Sequence, residues 1–89
     1  MPIVYVLDLG MGRKYVGYTN NFKQRINSHF NGRGAMVTRK YKPQKIIKII
    51  RCYSKAYGLA VEKNVTENMA KKYGWAKVRG SYNCNSKNF

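Results

Sequence analysis

The chain has 89 residues, room for one small domain and no second one. Eighteen Lys and Arg stand against three acids, a net charge of +15, and a compact body so charged repels itself unless something anionic lies against it. Ordinary apolar content argues against global disorder, no apolar run is long enough to span a bilayer, and no secretory signal pattern opens the chain, so an intracellular protein is expected.

Ile3–Leu9 alternates bulky β-formers and reads as a strand. Gly10-Met11-Gly12 is a turn, and Arg13–Tyr18 reads as the returning strand of a β-hairpin. Thr19-Asn20-Asn21 supplies helix caps; Phe22, Ile26 and Phe30 then recur at helical spacing, and Asn31-Gly32 ends that helix. Arg33–Lys42 reads as a basic loop carrying Arg33, Arg39, Lys40 and Lys42. Pro43 precedes Ile46–Ile50, expected to be a buried third strand of the same sheet. Ser54 caps a second helix that runs to about Tyr73 and is stopped by Gly74. In the tail, Trp75–Phe89, only a turn at Arg79-Gly80 is assigned. The order β-β-α-β-α is that of a mixed α/β (α+β) layer fold.

Nucleic acid is the favoured partner of such a charge. An anionic membrane would call for a basic amphipathic helix or tail, whereas the basic residues here run along the whole chain. Cys52 and Cys84 have neither the spacing nor the His neighbours of a metal site, and both read as free thiols.

Acids are so scarce that each can be weighed. On a helical wheel at about 100° per residue with Tyr57 at zero, Leu59, Val61, Val65, Met69 and Tyr73 cover roughly 40° to 200°. Glu62 falls at about 140°, inside that apolar arc, and Glu67 at about 280°, beside Lys63 and Lys71. Glu67 reads as an exposed member of i, i+4 ion pairs. Glu62 must lose hydration, so it needs either a structural cation or a metal beside it. Asp8, at the end of the first strand, has a hairpin role.

Arg25 and His29 are four residues apart on the first helix and flank its apolar ridge, where a cleft wall would stand. Arg25 suits a phosphate, because its planar fork donates two bonds and its charge does not titrate away. Eight tyrosines are interleaved with Lys and Arg. Tyr5 and Tyr15, on the paired hairpin strands, fit cross-strand packing or base stacking equally well.

Val4-Tyr5, then Tyr15-Val16-Gly17, then Thr19, Asn20, Arg25 and His29 in the spacing T-N-x4-R-x3-H, and last a lone helical Glu62 form an ordered set. That set resembles the GIY-YIG endonucleases, from about Ile3 to Arg79-Gly80. The resemblance implies a small three-stranded antiparallel sheet flanked by helices and a metal-dependent hydrolysis of DNA phosphodiesters, branched or structured DNA included. Carried over by position, Glu62 matches the metal ligand, holding one Mg2+ or Mn2+ ion. Tyr5 and Tyr15 match the signature tyrosines, Arg25 the phosphate-binding arginine, and His29 a histidine near the nucleophile. Gly17 would let the backbone approach the phosphate. The chain departs from the pattern at Ile3, where the first triplet has Gly, and at Lys77, where many relatives carry Asn.

Three acids are too few for a two-metal cage, so one-metal chemistry is expected, with Arg25 and the ion stabilising charge on the phosphorane. Tyr5, Tyr15 and His29 all stand as candidates for the base. A tyrosine is a poor base at neutral pH unless a neighbour such as Lys14 lowers the cost, and His29 is better matched in pKa. Lys14, Arg33, Arg39, Lys40 and Lys42 are expected to meet the nucleic-acid backbone. The rival reading is a catalytically weak or inactive nucleic-acid-binding module using the same basic, tyrosine-rich surface. A small RNA-associated protein is a further rival.

Overall fold

The computed structural model describes residues 1–80. The chain runs β1 (Ile3–Gly10), β2 (Arg13–Thr19), α1 (Phe22–Phe30), α2 (Met36–Lys40), β3 (Lys45–Arg51), α3 (Lys55–Tyr73), a 3-10 turn (Trp75–Lys77) and β4 (Val78–Gly80). The mixed α+β class is as expected from the sequence. The sheet, however, has four strands in the order β3-β1-β2-β4, not three. The added strand is the segment expected to hold a turn at Arg79-Gly80: β4 lies parallel to β2, pairing Lys14 with Val78 and Val16 with Gly80. Three residues are too few to carry an alternating pattern, and a parallel partner is reached only through the long α3 crossover.

β1 and β2 pair antiparallel from Ile3↔Thr19 to Gly10↔Arg13, and Met11 closes the turn with φ 58°. Asp8 has its hairpin role: Oδ1 accepts from the Gly10 amide at 2.9 Å and lies 3.7 Å from the Lys14 ammonium. The Asn21 side chain accepts from the Gln24 amide and the Ser54 hydroxyl from the Tyr57 amide, so both long helices start where their capping residues stand. The expected loop at 33–42 contains the short helix α2.

Because side chains alternate along a strand, the sheet presents two faces. Val4, Val6 and Val16 pack under α3 with Val61, Val65 and Met69. Tyr5, Leu7, Leu9 and Tyr15 pack under α1 and α2 with Phe22, Ile26, Phe30 and Val37. The product is three layers, helix-sheet-helix. Two expectations about burial are corrected. β3 is an exposed edge strand: Ile46, Ile47 and Ile49 are all open to solvent, and β1 and β2, each paired on both sides, are the inner strands. On α3 the deepest positions are Gly58, Glu62, Thr66 and Ala70, one per turn, while Tyr57, Leu59 and Tyr73 are exposed. Small residues there let the helix settle close to the sheet, and the larger apolar residues flank the contact line. Cys52 is a buried free thiol; Cys84 lies outside the described residues. Among the described residues no helix is long and apolar enough to cross a membrane.

Candidate active site

The centre of the α1-facing layer is aromatic and polar together. Tyr5 and Tyr15 sit on neighbouring strands with ring centroids 6.4 Å apart, and the His29 ring lies 5.7 Å from Tyr5 and 5.1 Å from Tyr15. All three are almost wholly buried. His29 is therefore at the heart of the layer and not on a cleft wall as its wheel position suggested. Two hydrogen bonds make that burial tolerable. Nε2 is 2.7 Å from the Tyr5 hydroxyl, and Nδ1 is 2.8 Å from Oγ1 of Thr38 on α2. The Thr38 hydroxyl in turn donates to the Ala35 carbonyl at 2.9 Å.

Two glycines permit this packing. A Cβ on Gly17 would run into the Tyr5 phenol, and a Cβ on Gly34 would run into Nδ1 of His29. The space beside Gly17, assigned from the sequence to a phosphate, is filled by the Tyr5 ring.

Arg25, one turn before His29, is half-buried and opens onto a depression of about 260 Å³ lined by Thr19, Asn21, Gln24 and Ser28. Burial works against its charge, but its interactions with the Tyr5 and Tyr15 hydroxyls outweigh that and raise its pKa. The Tyr5 hydroxyl is raised well above the ordinary tyrosine range, first by burial and next by Tyr15; Arg25 partly opposes the rise and the Glu62 carboxylate adds to it. His29 is pushed down to about 4, by burial and then by the charge of Arg25. It is neutral at pH 7.

Glu62 is 4 % exposed on α3, and its charge is the smallest of the influences that raise the Tyr5 hydroxyl. Lys14 is not part of this group. It lies on the opposite face of β2, against Asp8 and with its ammonium 4.9 Å from the Tyr73 ring centre. Lys77 is also apart, its ammonium donating to the Met11 carbonyl at the hairpin tip. Arg33, Arg39, Lys40 and Lys42 are exposed. Thr38 ties α2, and with it Arg39 and Lys40, to the His29 side of the molecule.

Thr38 and Gly34 are the contributors that the sequence did not disclose. Both stand in the segment read as a basic loop, where a threonine among cations carries no signal. Only the fold brings Thr38 nine residues back onto His29.

Residues 1–74 match the GIY-YIG catalytic domain. A UPF0213 protein of Streptococcus agalactiae is 41% identical over 54 residues, 61% of this chain and 56% of its own length. UPF0213 proteins of Bacillus licheniformis and Clostridium perfringens are 45% and 43% identical over 42 and 47 residues. Those alignments cover 47% and 53% of this chain and 43% and 50% of the relatives. The chain thus spans about half the length of these relatives, whose names state no activity. No solved structure matches it significantly. With the family match covering the hairpin, the Arg25–His29 helix and Glu62 alike, the chain belongs to the GIY-YIG family.

Proposed function

We propose that the chain is a metal-dependent endonuclease that hydrolyses phosphodiester bonds of DNA at the Tyr5–Tyr15–Arg25–His29 cluster. The family match supports a nuclease-type function. The observation that carries the reading further is the 2.7 Å contact between the Tyr5 hydroxyl and His29 Nε2 beside a cationic Arg25. A tyrosine whose pKa is raised cannot wait as a phenolate at pH 7. It can accept a proton only if it releases its own at the same moment, and His29 is the group positioned to receive it.

The reaction then balances simply. A water oxygen bonds to phosphorus while the bond from phosphorus to the leaving sugar oxygen breaks. The water proton goes to the Tyr5 oxygen, and the Tyr5 proton goes to His29 Nε2. The leaving oxygen takes a proton from solvent. Arg25 donates to the non-bridging oxygens, where charge grows. Burial is the larger cause of the low His29 pKa, but pairing of Arg25 with phosphate relieves the smaller one, so the imidazole becomes a somewhat better acceptor once substrate is bound.

Glu62 is the residue that would hold the ion. Among the described residues no group of three His, Cys, Asp or Glu could bind a metal unaided. One buried carboxylate completed by water and a phosphate oxygen suits Mg2+ or Mn2+, hard ions that keep several waters. When bound, the ion supplies charge stabilisation at the phosphoryl group and a more acidic water.

The test is incubation of the purified chain with supercoiled plasmid and with branched DNA. Cleavage in Mg2+ that stops in EDTA is expected; tight binding with intact DNA under both conditions would leave the binding-module reading in its place. Binding itself should weaken steeply with salt, since log Kd changes by about 0.9 per log unit of salt for each phosphate neutralised. Replacing Arg39, Lys40 and Lys42 together by Gln should lower that slope by about 0.9 for each phosphate that these side chains meet. An unchanged slope in a salt titration by fluorescence anisotropy would remove this segment from the interface.

A further inference from the structure

We propose that Thr38 is a positioning residue that fixes His29 as its Nδ1–H tautomer, leaving Nε2 bare to take the proton of Tyr5. The catalytic consequence rests on the nuclease reading above; the tautomer itself does not.

The Thr38 hydroxyl sets the direction of the hydrogen-bond chain. A threonine hydroxyl has a single proton. Thr38 gives it to the Ala35 carbonyl, three residues back, at 2.9 Å. Toward His29 Nδ1, 2.8 Å away, the same oxygen can then only accept. Nδ1 must therefore carry the hydrogen. His29 is neutral at pH 7, and a neutral imidazole has one N–H, so Nε2 has none. The Tyr5 hydroxyl, 2.7 Å from Nε2, is consequently the donor.

The opposite tautomer reverses every link. Thr38 would have to donate to Nδ1, and the Ala35 carbonyl would keep the Arg39 amide, at 3.0 Å, but lose the hydroxyl as its second donor. Nε2–H would donate to the Tyr5 oxygen, the Tyr5 proton would point elsewhere, and His29 could not receive it. Thr38 thus decides which way Tyr5 can pass a proton, although it lies on the far side of the imidazole. Thr38 is fully buried, and the Gly34 backbone packs directly against Nδ1. The threonine is therefore held against the ring on a short helix whose cap residue, Ala35, is also its acceptor.

The experiment is 15N NMR of the imidazole nitrogens in the full chain, which has one histidine, paired with single-turnover DNA cleavage. The wild type should show Nδ1 protonated and Nε2 unprotonated at pH 7. Thr38→Ser keeps the hydroxyl and should keep both that pattern and the cleavage rate, within about threefold. Thr38→Val keeps the shape but cannot accept. It should populate the other tautomer and slow cleavage by about 10- to 100-fold, the usual cost of losing an orienting partner, with DNA affinity unchanged. A wild-type spectrum with Nε2 protonated overturns the proposal, and so does a Thr38→Val spectrum that keeps the wild-type pattern. Should Thr38→Val fail to fold, the wild-type and Thr38→Ser spectra decide the matter. If the wild type cleaves no DNA, the nuclease reading falls while the spectra still decide the tautomer.

Discussion

Glu62→Gln should abolish metal-dependent cleavage, by about 10³-fold or more in single-turnover rate. The substitution keeps the volume of a side chain that is 4 % exposed, and so keeps the packing of α3 on the sheet. It removes the one carboxylate, among the described residues, whose charge reaches the Tyr5 hydroxyl. The stabilisation that an ion supplies to a phosphoryl group is worth several kcal/mol, and each ~1.4 kcal/mol is a factor of ten in rate. DNA binding measured in EDTA should persist or tighten, because a negative charge has left the neighbourhood in which the phosphate is proposed to bind. Glu67→Gln is the matched control. Glu67 is half-buried on the same helix but away from its deepest line of Gly58, Glu62, Thr66 and Ala70. It should change the rate by no more than about twofold, and equal damage from the two substitutions would remove Glu62 from the site.

The second large effect concerns stability. His29 titrates near 4 in the folded chain against about 6.5 when unfolded. Between those values the unfolded chain holds a proton that the folded chain does not, so stability rises with pH across the window. The full contribution is present above about pH 6.5 and is lost as pH falls toward 4. A gap of that size is worth about 3 kcal/mol, a large share of the total for a domain this small. Urea midpoints at pH 7.0 and pH 4.5 should differ accordingly. In His29→Gln the difference should shrink to what the few acids contribute. A wild-type midpoint that stays constant across the window would mean that His29 is not buried as a neutral imidazole.

How far the sequence foretold this molecule depends on what each residue had to signal. Caps are local, so Asn21 and Ser54 placed the helix starts directly. Glycine and turn residues did the same for the hairpin. An acid among apolar neighbours is conspicuous in a chain with only three of them, and Glu62 was legible as an inward position for that reason. Depth was less legible. A run such as Ile46–Ile50 looks equally apolar at the centre or the edge of a sheet, and only the order β3-β1-β2-β4 assigns it to the edge. β4 has three residues and a partner some sixty positions earlier, a pairing that no local pattern encodes. His29 looked peripheral on its wheel because the wheel knows nothing of Thr38, which meets it from another helix. Polar partners across elements are a property of the fold, and the proton-handling part of the site consists of such partners.

The Tyr5 hydroxyl joins His29 to the place where a phosphate would meet Arg25, and the proposed chemistry turns on it. The most direct measurement is single-turnover cleavage of supercoiled plasmid in Mg2+ by the wild type and by Tyr5→Phe, at equal occupancy of the DNA. Phenylalanine keeps the ring that packs on Gly17 and Phe22 and removes only the oxygen. The wild type should cleave, and the variant should cleave about 10²- to 10⁴-fold more slowly, with an unchanged Kd for DNA. Cleavage by Tyr5→Phe at the wild-type rate would contradict the role given to this hydroxyl.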